Sequence, residues 1–211
     1  MKLRQSGMPE ESYWETLFDP SSILRSLHIG KELRDVVELG CGYGTFSLPV
    51  ASAISGTLFA FDIEAAMVER TRARARERVI TNLRCEQRNV FQDGFDVAPE
   101  SQDACLLFNI LHCENPIRVL REAAGVVTEQ GTVFVMHWRH DPSTPRGPSL
   151  DIRPRPEDCT RWARRAGLFP AGNGIVDLPP YHYGLILKKR ENSDRHVNAE
   201  ASLRSPRSKR G

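Results

Sequence analysis

The run Val36-Val37-Glu38-Leu39-Gly40-Cys41-Gly42-Tyr43-Gly44-Thr45-Phe46 constrains this chain more than any other segment. It reads as a β-strand that enters a glycine-rich turn and then opens a helix. Glycines let a backbone approach a ligand closely and take up positive φ where side chains clash. A helix that starts there turns unpaired N–H groups and the positive end of its dipole toward the same spot. Strand, turn and helix together build a cradle for a small ligand.

Spacing and charge narrow the ligand. The dinucleotide fingerprint is G-x-G-x-x-G, whereas here Gly44 comes one residue early. Glu38, two positions before Gly40, adds negative charge where a pyrophosphate would sit. An NAD-dependent oxidoreductase is disfavoured on both counts. A ligand with an ammonium group beside a carboxylate fits better.

From Asp35 onward strand and helix patterns alternate. Strands are expected at 35–40, 57–62, 83–88, 103–110 and 132–138, several of them continuous apolar runs suited to central parallel strands. Helices are expected near 45–54, 64–79, 116–128 and 156–166. In the third, Pro116 suits the first turn, and Ile117, Leu120, Ala124 and Val127 form an apolar stripe. In the fourth, Cys159, Trp162, Ala163 and Ala166 share a face and Gly167 ends the helix. Segments 172–178 and 181–189, joined by Pro179-Pro180, read as a terminal hairpin. The expectation is a doubly wound α/β sheet of Rossmann type with helices on both faces. Residues 9–28, with Trp14, Leu17, Phe18, Ile23, Leu24 and Leu27, read as one or two short amphipathic helices capping it.

At 211 residues the chain fits one domain, expected over 1–190 with a helical cap at 1–33. Residues 188–211 carry eight Lys/Arg against three Asp/Glu, a net +5 within a chain of net +2, so the body is slightly acidic. It offers no broad basic footprint for nucleic acid. The polar, aperiodic stretch 191–211 reads as a disordered basic tail. No apolar run reaches the length of a membrane span, and the N-terminus lacks the signal-peptide pattern. The five cysteines, an odd number without C-x-x-C pairing, suit reduced thiols in a cytoplasmic protein.

The segment ELGCGYG resembles the first motif of class I S-adenosylmethionine (SAM)-dependent methyltransferases, and Phe108-Asn109-Ile110-Leu111-His112 resembles their small-molecule, type 11 branch. The likeness extends over about residues 30–190 and implies a seven-stranded sheet whose last strand lies antiparallel beside the fifth. It implies SAM as cofactor, with Glu38, Gly40, Cys41, Gly42 and Gly44 around its amino-acid half. Asp62, ending the second strand, would accept hydrogen bonds from the ribose diol, and could at the same time cap the following helix. Ile63, Asn89 and Val90 would border the adenine, and Asn109 the methyl group. The family places an acid where this chain has Asn89, which keeps a carbonyl acceptor without the charge; Asp93 is a less well-spaced substitute. The Asn/Asp-Pro-Pro-Tyr motif of several base and glutamine methylating enzymes is missing, and Leu178-Pro179-Pro180-Tyr181 lies in the wrong place for it.

Methyl transfer requires aligned partners and, for a protonated nucleophile, a base. His112 and His137, at the ends of the fourth and fifth strands, are the candidates. Trp14 and the arginines of the loop after strand five, Arg139 and Arg146 with Arg153 and Arg155, are candidate contacts to an acceptor. The pair His137-x-x-His140 lacks the further ligands a metal needs, so no metal is expected. The reading is a SAM-dependent methyltransferase acting on a small molecule. A SAM-binding regulator or inactive paralogue, and an RNA or protein methyltransferase using the tail, are the alternatives.

Overall fold

A computed structural model of the chain describes residues 8–189; the tail at 191–211 lies outside the described residues. After α1 (Glu11–Glu15) and α2 (Pro20–Ser26), strands and helices alternate: β1 (Val36–Leu39), α3 (Ser47–Ala53), β2 (Leu58–Asp62), α4 (Ala65–Glu77), β3 (Leu83–Gln87), α5 (Val90–Asp93), β4 (Gln102–Phe108), α6 (Pro116–Val126), β5 (Val127–Trp138) and α7 (Pro156–Arg165). Two long strands, β6 (Leu168–Leu178) and β7 (His182–Lys189), complete a seven-stranded sheet of order β3-β2-β1-β4-β5-β7-β6. Strands β1 to β5 run parallel, whereas β7 lies antiparallel between β5 and β6. The Rossmann-like sheet expected from the sequence is therefore present, with the antiparallel strand beside the fifth.

Side-chain alternation along the strands explains the layers. Val37 and Leu39 of β1, Cys105 and Leu107 of β4, and Val133 and Val135 of β5 share one core with Leu120 and Ala123 of α6 and Cys159 and Ala163 of α7. Val36, Ala104, Leu106, Phe134 and Met136 point to the other face, onto Ile23, Leu24 and Leu27 of α2 and Val50 and Ala51 of α3. The period of two distributes one apolar run over two cores. The capping expected of residues 9–28 is met chiefly by Leu17, Phe18 and α2; α1 itself buries none of its residues.

Three local details differ from the sequence reading. Helix α6 buries Val119, Leu120, Ala123 and Val126, and Val127 already belongs to β5. The buried stripe therefore differs from the one drawn through Ile117, Ala124 and Val127, and the helix ends two residues before the expected 128. Strand β6 begins at Leu168, with its register to β7 shifting between Pro170 and Ile175. Residues 90–93, read without structure, form the short helix α5, with Asn89 at its N-cap position.

Candidate active site

The strand order reverses between β1 and β4, and a cleft of about 860 Å³ opens where their carboxyl ends diverge. Its floor is the glycine turn. Gly40 holds φ at +85°, and a Cβ there would stand 2.7 Å from Cδ1 of Ile110 across the cleft. The turn is tied down from two sides. Asp62, at the end of β2, accepts the N–H of Gly42 at 2.9 Å through one carboxylate oxygen and that of Glu64 at 3.0 Å through the other. Helix α4 supplies Thr71, whose hydroxyl donates to the Gly42 carbonyl at 2.9 Å, and Arg74, whose guanidinium donates to the Tyr43 carbonyl at 2.8 Å.

Glu38 ends this floor on the β1 side. It is 2 % exposed and accepts the Ser47 hydroxyl at 2.5 Å. Burial pushes its carboxyl up to about 7, the Ser47 hydroxyl opposes the rise, and the charge of Asp62 adds to it. A group so placed ionises readily once a cation comes beside it.

Three side-chain oxygens of residues lining this cleft are buried without a hydrogen-bond partner: Oγ1 of Thr45, Oδ1 of Asn89 and Oδ1 of Asn109. Buried polar atoms are nearly always paired, so three in one cleft mark places for ligand groups. Asn109 also sits at φ +57°, a conformation that asparagine tolerates better than most residues, while its N–H is held by the Met136 carbonyl at 2.8 Å.

Residues 36–131, from β1 to within β5 and including this whole floor, match the family model described as a methyltransferase domain. Over these residues the chain is similar to a methyltransferase domain. No curated protein matches the chain by sequence. Among solved structures, a SAM-dependent methyltransferase from Aquifex aeolicus aligns at 17 % identity with a TM-score of 0.73, over 84 % of this chain and 93 % of its own. A protein from Sulfolobus solfataricus assigned to type 11 aligns at 21 % and 0.66, over 83 % of this chain and 94 % of its own. Magnesium protoporphyrin IX methyltransferase from Synechocystis PCC 6803, solved with bound S-adenosylhomocysteine, aligns at 15 % and 0.63, over 89 % of this chain and 91 % of its own. At these identities the structures share the fold with this chain.

The residues present suit the cofactor of the family. SAM carries an ammonium group, a ribose diol and an exocyclic amine, all hydrogen-bond donors. The cleft offers acceptors in Glu38, Asp62 and the two open asparagine oxygens, while the Thr45 hydroxyl can donate to a carboxylate.

Of the residues singled out from sequence, Trp14, Glu38, Gly40, Cys41, Gly42, Asp62, Ile63, Asn89, Val90, Asn109 and His112 line the cleft. Four others do not. Gly44 faces α3 and α4, where a Cβ would stand 3.1 Å from Thr71 Oγ1 and 3.3 Å from Leu48; its φ of +77° and that close approach give it a packing role. His137 is fully buried, its ring 5.5 Å from that of His112 and stacked on Tyr183. Burial, reinforced by His112, holds it well below the usual histidine range, so it stays neutral and out of reach of an acceptor.

The arginines also lie elsewhere. Arg139 pairs with Asp177 and donates to the His182 carbonyl at 3.1 Å. The carbonyl of Arg146 is one of several that converge on the buried guanidinium of Arg153, with those of Pro148, Arg139 and Asp141. Arg153 therefore folds the loop instead of clamping an anion. Asp93, the substitute weighed for Asn89, is outside the cleft lining.

Sequence reasoning passed over Thr45, Tyr43, Phe46, Met67 and Phe108, all of which line the cleft. Thr45 had a visible signal, a hydroxyl directly after the last glycine at a helix entrance. Phe46 and Phe108 looked like ordinary core residues, and only the sheet order brings them together.

Proposed function

We propose that this chain is a SAM-dependent methyltransferase acting on a small-molecule acceptor, with Glu38, Gly40, Cys41 and Gly42 around the amino-acid half of SAM, Asp62 on its ribose, Ile63, Asn89 and Val90 at its adenine, and Asn109 beside its methyl group. The observation that carries the reading is the set of open oxygens on Thr45, Asn89 and Asn109 around one glycine-floored cleft. When bound, SAM supplies an electrophilic methyl group that a nucleophile takes directly.

The protein's own residues have three tasks. Glu38 compensates the ammonium charge with a carboxylate that is costly to keep ionised when alone. Asp62 holds the ribose hydroxyls while it keeps the glycine turn in place. His112, the imidazole on the β4 side of the cleft, takes the proton of the nucleophile. His137, packed behind it, keeps a neutral ring against His112, so the two do not compete for charge.

Calorimetric titration of the full chain with SAM and with S-adenosylhomocysteine tests the reading. Micromolar binding is expected, abolished in a folded Gly42→Arg variant and retained in His112→Ala. Failure of the folded wild type to bind either compound overturns the proposal.

A further inference from the structure

The β4 end of the cleft is aromatic. Phe46, at the entry to α3, and Phe108, the last residue of β4, meet edge to face with centroids 5.1 Å apart. Phe18 touches Phe46 at 5.3 Å and Trp14 at 4.8 Å, which continues the wall up to α1. Trp14, Phe46 and Phe108 all line the cleft, together with Asn109 and His112. Flat, weakly polar walls of this kind favour a planar guest, since ring pairs stack or meet edge-on with a gain beyond area burial.

The lining offers an anionic acceptor no uncommitted guanidinium or ammonium group. Its acids are Glu38 and Asp62, which the reading above gives to SAM, and Glu64, and its single Lys or Arg is Arg88. Arg88 stands at the β3 end and is engaged there, donating to the Gly94 carbonyl at 2.8 Å and the Asp93 carbonyl at 3.2 Å, with Asp96 at 3.5 Å. The loop arginines that sequence placed near an acceptor are outside the lining. A carboxylate or phosphate on the acceptor would therefore be desolvated with no uncommitted guanidinium to pair with, at a cost that water would not impose.

We infer that the acceptor is a planar, uncharged aromatic molecule bearing a hydroxyl group, seated against Trp14, Phe46 and Phe108 with that hydroxyl toward His112. The inference rests on the methyl-transfer reading above. An aromatic hydroxyl needs its proton removed as it attacks, which gives the imidazole a purpose that an amine nucleophile, already carrying a lone pair, would not require at that step. The hydroxyl oxygen forms the new O–CH3 bond as the methyl–sulfur bond breaks. The electron pair of that bond remains on sulfur, and the hydroxyl proton passes to His112.

Two probes of one shape and different charge decide it: 2-naphthol and 2-naphthoate, titrated into the full chain saturated with S-adenosylhomocysteine. Naphthol is expected to bind at least tenfold tighter than naphthoate. Phe108→Leu, or Trp14→Ala should the first variant fail to fold, is expected to weaken naphthol binding at least tenfold while leaving S-adenosylhomocysteine bound. Naphthoate binding as tightly as naphthol, neither compound binding, or naphthol binding unchanged in a folded variant overturns the inference. Absence of S-adenosylhomocysteine binding at the outset overturns the methyltransferase reading instead, so the two failures are distinguishable.

Discussion

One carboxylate oxygen of Asp62 holds the backbone N–H of Gly42 at 2.9 Å, so the residue proposed for the ribose is also the anchor of the glycine turn. The sequence allowed Asp62 a ribose role together with capping of the next helix; of the two, the structure carries a local contact, since the other oxygen takes the N–H of Glu64, the residue that caps α4. Each carboxylate oxygen has more than one lone pair, so a diol can still be received.

Asp62→Ala should therefore weaken S-adenosylhomocysteine binding by about 1–3 kcal/mol, the cost of losing a buried hydrogen-bond partner. Asp62→Asn, which keeps an oxygen for Gly42, should lose less. Calorimetry on both folded variants checks the order; equal affinity in Asp62→Ala and wild type would remove Asp62 from the site.

Binding of SAM should depend on pH through Glu38. Burial places its carboxyl at about 7, above the ordinary carboxylate range, so the fraction ionised grows as pH rises toward and past neutrality. An ammonium ligand prefers the ionised form. Affinity should increase from about pH 6 to pH 7.5, by up to about tenfold per unit where the free site is still protonated. It should level off near 8, where the ligand's own α-amino group starts to lose its proton. Proton release on binding at pH 6.5, read from titrations in buffers of different ionisation enthalpy, should disappear in Glu38→Gln.

Acid should destabilise the fold through His182. It lies between Phe18 and Trp138, at centroid distances of 4.7 and 4.1 Å, and burial lowers it to about 3, with Arg139 and Arg153 acting in the same direction. The unfolded chain takes up this proton below about 6.5, whereas the native state does not until about 3. Nothing is lost above pH 6.5, and stability falls as pH drops through that window, by about 1.4 kcal/mol per unit. His182→Phe, compared with wild type by urea unfolding at pH 7 and pH 5, should lose about 2 kcal/mol less on acidification. Equal losses would show that the ring is protonated in the native state.

Arg153 should matter for folding and not for acceptor charge. Its guanidinium donates to the carbonyls of Arg139, Asp141, Arg146 and Pro148 and to the Thr144 hydroxyl. Arg153→Met leaves those carbonyls without their donor and should cost about 1–3 kcal/mol. Arg153→Lys should rescue little, because an ammonium cannot span a planar fork of acceptors. Thermolysin cleavage within 139–153 should accelerate in both variants; unchanged protection would leave the loop supported by something other than Arg153.

The elements of the fold were largely legible because each is written locally. The apolar runs of β1, β4 and β5 and the 3.6-residue pattern of α7 need no distant information. The glycine turn was equally plain, since positive φ at Gly40 and close approach at Gly44 admit few other residues. The arginines after β5 misled for a physical reason. Local sequence shows a guanidinium and a proline-rich loop, but whether that guanidinium faces a cleft or a ring of carbonyls depends on how the loop closes. His137 misled in the same way, because a strand end can point to solvent or into a core with the same neighbours in sequence.

By itself, then, the sequence determined the alternating strands and helices, the glycine turn with Glu38 before it, and Asp62 at the end of the second strand. These follow from backbone sterics and side-chain periodicity, which act over a few residues. Tertiary structure decided that Phe46, Phe108, Trp14 and His112 share one wall of the cleft, that His137 lies behind it, and that the loop arginines are used elsewhere. Those relationships arise from strand order and loop closure, which join residues far apart in the chain, and burial and charge pairing act only once these residues have met.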